Sequence, residues 1–183
     1  MDDQSKNKVQ SRTVLEMLTV ANEYCLFIED ADKFTKEYML SYLQKVLPLL
    51  YLKSSLLPDI EVDDTMPGER FVTEEEWEIA FQRIKSKLGV DDRYIYLARR
   101  SATETETRKG SLSENFTDIY QDMKDFILLY QKNTLSAQEN AVHDCKLLFE
   151  SHWGARALNA LAAIHQILHQ NWDDDNFTPF SAN

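Results

Sequence analysis

Along residues 113–131 the apolar and acidic side chains fall on opposite sides of one helix, and this separation limits what the chain can fold into. Phe116, Tyr120, Met123, Ile127 and Tyr130 recur at steps of three and four, the spacing of one helix face. Glu114, Asp118, Asp122 and Asp125 recur at similar steps. At about 100° per residue the centres of the two sets lie about 180° apart. One face is therefore read as core, the other as facing solvent or a partner.

The same period marks the rest of the chain. A first helix is expected from about Ser11 to Glu29, with Val14, Met17, Leu18, Ala21, Tyr24, Cys25 and Ile28 inward. A second, from about Lys33 to Leu56, is apolar nearly all round and should be central. Pro48 lies inside it, and a kink or break is expected there, because proline lacks an N–H and crowds the preceding turn. Leu57–Phe71 reads as a long acidic connection. Thr73 with Glu76 forms a capping box that opens a third helix, with Trp77, Ala80, Phe81, Ile84 and Leu88 inward and Gly89 at its end. Ser111 with Glu114 opens the fourth helix, and Ser136 with Glu139 a fifth, running to about His152. After a brief interruption at Gly154, a sixth runs from Ala155 to about Asn171. Residues 92–99 fit a short strand or a helical turn. Ser101–Gly110 has no apolar period and reads as an exposed, mobile loop.

The expected fold is thus all-α: a bundle of about six antiparallel helices, the second kinked or broken at Pro48. The chain has 183 residues, with only four Gly and four Pro. That length suits a single helical domain over 1–183, with 1–10 and 173–183 as flexible tails. A domain of this size buries roughly 70% of its unfolded surface, enough to fold without disulfides or metal.

Composition excludes several functions. The net charge of −11 disfavours nucleic acid and anionic membranes unless a basic patch overrides it. The densest basic spots, Arg99–Arg100 and Arg108–Lys109, flank an acidic Thr/Glu stretch and do not read as such a patch. No run approaches the roughly 18 apolar residues of a membrane span, and the N-terminus lacks the apolar core of a secretory signal. A cytoplasmic location is expected, with Cys25 and Cys145 as free buried thiols.

Two groups of residues invite chemistry. Glu114, Asp118 and Asp122, extended by Asp125, have the one-turn acidic spacing with which all-helical nucleotide pyrophosphohydrolases hold a metal. Because the set points away from the apolar stripe, and Glu114 also serves a helix cap, a solvated surface without metal is the expectation. Glu75 and Glu78 share that spacing only loosely. His165 and His169 sit one turn apart near Leu158, Leu161 and Trp172. They are read as neutral rings buried in the bundle and held by hydrogen bonds, or else as lining a pocket for a ligand or metal. Asp59, Glu61 and Asp63 start like a calcium loop, but Asp64 replaces its glycine and Arg70 its bidentate glutamate. No nucleophile elbow or glycine-rich phosphate loop is present.

Four stretches carry a resemblance: Asn-Glu-Tyr-Cys-Leu-Phe-Ile-Glu at 22–29, Leu-Gln-Lys-Val-Leu-Pro-Leu-Leu-Tyr-Leu-Lys-Ser-Ser-Leu-Leu-Pro at 43–58, Ser-Glu-Asn-Phe-Thr-Asp-Ile-Tyr-Gln-Asp-Met-Lys-Asp-Phe at 113–126, and Cys-Lys-Leu-Leu-Phe-Glu-Ser-His-Trp-Gly at 145–154. Together, from about residue 12 to 170, the chain resembles the bacterial domain-of-unknown-function family DUF5063, small acidic helical proteins. The resemblance implies a helical fold and a cytoplasmic setting, and brings no activity, cofactor or catalytic residue. The expected function is a non-enzymatic cytoplasmic module that binds a protein partner, a second copy of itself or a small ligand, with no cofactor. The alternative is a metal-dependent hydrolase resembling the pyrophosphohydrolases, with Glu114, Asp118 and Asp122 as ligands.

Overall fold

A computed structural model describes residues 2–62 and 70–169. Helix α1 spans Asp2–Val9, α2 Arg12–Glu29, α3 Lys36–Ser55 and α4 Glu74–Leu88. Strands β1 (Arg93–Arg99) and β2 (Thr105–Ser111) precede α5 (Leu112–Gln131) and α6 (Leu135–Leu148). A π-helical turn, Phe149–Trp153, then leads without a break into α7 (Gly154–His169). The described chain is mostly helical, with one small sheet, and is not a six-helix bundle. Among the described residues no helix is long and apolar enough to cross a membrane.

The periodic faces predict the core well. Val14, Met17, Ala21, Tyr24, Cys25 and Ile28 of α2 are buried, as are Ala80, Phe81, Ile84 and Leu88 of α4, while Leu18 and Trp77 are partly buried. On α5, Phe116, Tyr120, Met123 and Ile127 are buried. Tyr130 is partly buried, its hydroxyl donating to the Val9 carbonyl at 3.0 Å. Helix α5 packs against α2, α4 and α6, while α3 packs against α2 and α7. Tyr24 ties two of these helices together by donating to the Phe116 carbonyl at 2.8 Å.

Several expectations are corrected. Residues 2–9, expected within a polar tail, form a helix whose Val9 is fully buried; the expected tail at 173–183 lies outside the described residues. Helix α3 runs unbroken through Pro48, which sits on the exposed side. There water can take the Gln44 carbonyl that loses its N–H partner. Only one side of α3 is deeply buried, through Met39, Leu40, Leu43, Leu47 and Leu50, whereas Tyr38 and Leu49 are exposed. The cap of α6 is Thr134, which accepts from Ala137 N, rather than Ser136. The expected fifth and sixth helices form one rod. Gly154 does not interrupt it; the π turn brings the Phe149 carbonyl so close that a Cβ at 154 would collide with it. Arg93–Arg99 form a strand, and its partner Thr105–Ser111 comes largely from the expected loop at 101–110. The two pair antiparallel, with Tyr94 opposite Gly110, Tyr96 opposite Arg108 and Ala98 opposite Glu106.

The capping box predicted at Thr73 and Glu76 is present in both directions. At α5 only half of the predicted box forms: Ser111 accepts from Glu114 N. The other partner is Asp92, a buried carboxylate that accepts from the Ser111 hydroxyl and, at 2.8 Å, from Ser113 N. Anionic charge at a helix N-terminus is favourable, and here it fixes the start of β1 to the start of α5.

Two outcomes test this packing. Met123→Ala should lower stability by about 2–4 kcal/mol, read as a lower urea midpoint; an unchanged midpoint would refute the assignment of this face. Cys25 and Cys145 are both buried and free, and burial pushes both thiols well above their ordinary range. Neither should react with a thiol reagent near pH 8 in the native protein, and both should react in denaturant.

Candidate functional site

The acidic stripe of α5 does not face solvent. Asp122 and Asp125 are buried, at 3% and 8% exposure, and each carboxylate is engaged by the surrounding chain. Arg70 Nη1 lies 2.8 Å from Asp122 Oδ1 and 3.1 Å from Asp125 Oδ2. Asp125 Oδ1 accepts from the backbone N–H groups of Phe71 and Val72, at 2.7 and 3.1 Å. Asp122 Oδ2 lies 3.0 Å from His152 Nδ1 in the π turn. Asp118 accepts from Trp77 Nε1 at 3.1 Å and pairs with Arg156 at 2.7 Å. Burial raises its carboxyl above the usual range, against the Arg156 guanidinium and the Trp77 N–H, which lower it. Glu114 lies apart, at the first turn of α5. The expected solvated surface is thus corrected: three of its four acids hold neighbouring elements to α5. Among the described residues, no three His, Cys, Asp or Glu side chains gather as ligands for one metal. A cavity of about 160 Å³ between α5 and α6 takes its polar wall from Arg70, Asp122, Asp125 and Asp144.

His165 and His169 are also placed differently from expectation. Both are exposed, and the buried face of α7 is made by Ala157, Ala160, Ala163 and Ile164. Leu158, which had suggested an inward phase for the pair, is 47% exposed. The two rings stand 4.8 Å apart, centroid to centroid, and both meet Gln44 of α3. His143 pairs with Asp144 on α6.

The concave feature richest in polar and charged groups was not predicted. It is a cleft of about 520 Å³ between the β-hairpin and helices α5 and α7. Tyr94 and Tyr96 furnish aromatic groups from β1, with ring centroids 5.8 Å apart. Arg99, Arg108 and Lys109 come from the hairpin, Glu114 and Asn115 from α5, and Arg156 and Asn159 from α7. Asn115 donates to the Tyr94 hydroxyl, which fixes one wall. Gly110, opposite Tyr94, is required by close approach, since a Cβ there would run into the tyrosine ring. Two guanidinium groups, Arg108 opposite Tyr96 and Arg156 of α7, thus face the cleft beside Glu114, while Arg99 and Lys109 border it from the alternate, outward face of the hairpin. Arg108 pairs with Glu106 and Arg156 with Asp118, while Arg99 and Lys109 form no ion pair among the described residues. Of the two basic spots that do not read as a patch in the sequence, the hairpin register brings Arg108 opposite Tyr96 and so onto the cleft side. The legible signal was their position, one on either side of a short polar stretch able to turn.

Arranged in this way, the cleft can bind and orient an anion. Among the described residues that line it there is no cysteine or histidine, and the Ser111 hydroxyl is taken up by Asp92. No curated protein matches the chain. Among solved structures, a protein designated BF1032 from Bacteroides fragilis is similar, with 32% identity and a TM-score of 0.76; the match covers 88% of this chain and 95% of that one. The profile of the domain of unknown function DUF5063 matches residues 8–170. The chain belongs to the DUF5063 family.

Proposed function

We propose that this protein is a non-enzymatic binding module that takes a small anion, a carboxylate or a phosphate, in the cleft under the hairpin. One observation carries the reading: a chain with net charge −11 brings the guanidinium groups of Arg108 and Arg156 to one hollow beside Tyr94 and Tyr96, with Arg99 and Lys109 at its border. Local cation density of this kind is what concentrates an anion against an overall repulsive charge. The cleft has the size of a small-molecule site, and its tyrosines supply the apolar contact such sites use. Guanidinium groups match both oxyanion classes. The hydrolase alternative has less support, because Asp118 and Asp122 are already engaged by Arg156, Trp77, Arg70 and His152. A cytoplasmic setting suits two buried, unpaired thiols. A second reading, docking of a protein partner or a second copy, is favoured by Ile95 and Leu97. They lie on the outward face of β1 at 68% and 72% exposure.

Titration with inorganic phosphate and with benzoate, followed by amide NMR, tests the first reading. Shifts should cluster at residues 94–99, 108–110 and 156 and weaken with added salt. Arg108→Ala with Lys109→Ala should reduce affinity by about 10-fold or more, the loss of one or two charge-assisted hydrogen bonds. Shifts scattered over the surface, or indifferent to the double substitution, would sink it. Magnesium-dependent phosphate release from a nucleoside triphosphate, lost in Asp118→Asn, would favour the hydrolase instead. For the second reading, Ile95→Lys with Leu97→Lys should lower the mass seen by light scattering; a monomer with and without the changes argues against self-association.

A further inference from the structure

Gln44 stands at the middle of α3, opposite the two histidines of α7. Its Nε2 lies 2.9 Å from His169 Nε2 and 3.4 Å from His165 Nδ1, and its Oε1 lies 3.4 Å from His169 Nε2. An amide NH2 carries two hydrogens. Each ring nitrogen accepts one of them in the tautomer that keeps its own hydrogen on the other nitrogen. Two imidazole lone pairs, from residues one turn apart, then converge on a single point held by a neighbouring helix. The amide nitrogen occupies the position that a shared cation would take.

We propose that His165, His169 and Gln44 form a surface site for a borderline divalent transition-metal ion, Cu2+, Ni2+ or Zn2+, which clamps α3 to α7. Imidazole nitrogen is the donor these ions favour, whereas magnesium and calcium require oxygen-rich sets. The Gln44 amide turns over to offer Oε1 as a third ligand, and water completes the shell. Metal–nitrogen bonds of about 2.0–2.1 Å require the rings to draw in from hydrogen-bond distance. Both histidines are exposed and free to do so. The packing of α3 on α7 supplies the fixed spacing. Among the described residues the two thiols are buried, His152 is held by Asp122, and His143 lies beside Asp144. The site lies further along α7 than Arg156 and Asn159 of the anion cleft and shares no residue with it.

Calorimetric titration of the full chain with zinc and with copper chloride, paired with thermal melts, tests the proposal. One ion should bind per chain, tighter for copper than for zinc as the stability order of these ions requires, and should raise the melting temperature. His165→Asn and His169→Asn should each weaken binding by about 10-fold or more and remove the thermal shift. Both positions are exposed, so circular dichroism should remain that of the wild type. Gln44→His, which places a third imidazole at the convergence point, should tighten binding by at least about 10-fold. Equal isotherms for the wild type and His169→Asn, or no metal-dependent heat, would overturn the site. A folded Gln44→His protein that binds no tighter would overturn the clamp between α3 and α7.

Discussion

The guanidinium of Arg70 reaches two carboxylates of α5 at once, and Asp125 takes two backbone N–H groups from the next residues along the chain. A carboxylate buried to this extent loses hydration worth several kcal/mol unless it is paired and hydrogen-bonded. Asp125 recovers that loss only when the chain entering α4 lies in one place. The docking of α4, which brings Trp77 to Asp118, follows from the same demand. On the other side, Asp118 draws Arg156 from α7 and Asp122 draws His152 from the π turn. Helix α5 is therefore buried nearly all round, with apolar packing on one side and compensated charge on the other.

The apolar half of this arrangement was legible in the sequence, and the charged half was not. Phe116, Tyr120, Met123 and Ile127 announce burial by type and spacing. An aspartate at the same spacing announces only that it is not in an uncompensated core. Whether it meets water or an arginine depends on partners such as Arg70, 52 residues away from Asp122, and periodicity carries no information over that distance. The phase of α7 failed for a related reason. Its contact face is built from alanines, which permit close helix approach but weigh little in a hydrophobic pattern, while Leu158 stays half-exposed. Reading the larger residues as the inner face turned His165 and His169 inward.

The cleft was hidden by the hairpin. Thr-Glu-Thr-Arg-Lys-Gly-Ser in β2 lacks the alternation of a half-buried strand, because much of that strand is exposed. Its place is fixed from outside, by Asp92 at the start of α5 and by the fit of Tyr94 against Gly110. Once β2 pairs with β1, Arg108 and Arg156, distant along the chain, border one hollow of an otherwise acidic protein. Family membership and the likeness to the Bacteroides fragilis protein accord with this fold and leave its chemistry open.

The π turn at Phe149–Trp153 has a geometric consequence for everything after it. A turn of this kind holds about one residue more than an α-helical turn, and each residue is worth about 100° of rotation about the axis. Removing one residue there would let the rod relax into plain α-helix while turning all of α7 like a key in a lock. Arg156 would leave Asp118, the alanine face would leave α3, and His165 and His169 would swing away from Gln44. A single inserted position thus sets the azimuth of both the cleft and the histidine pair, although neither touches it.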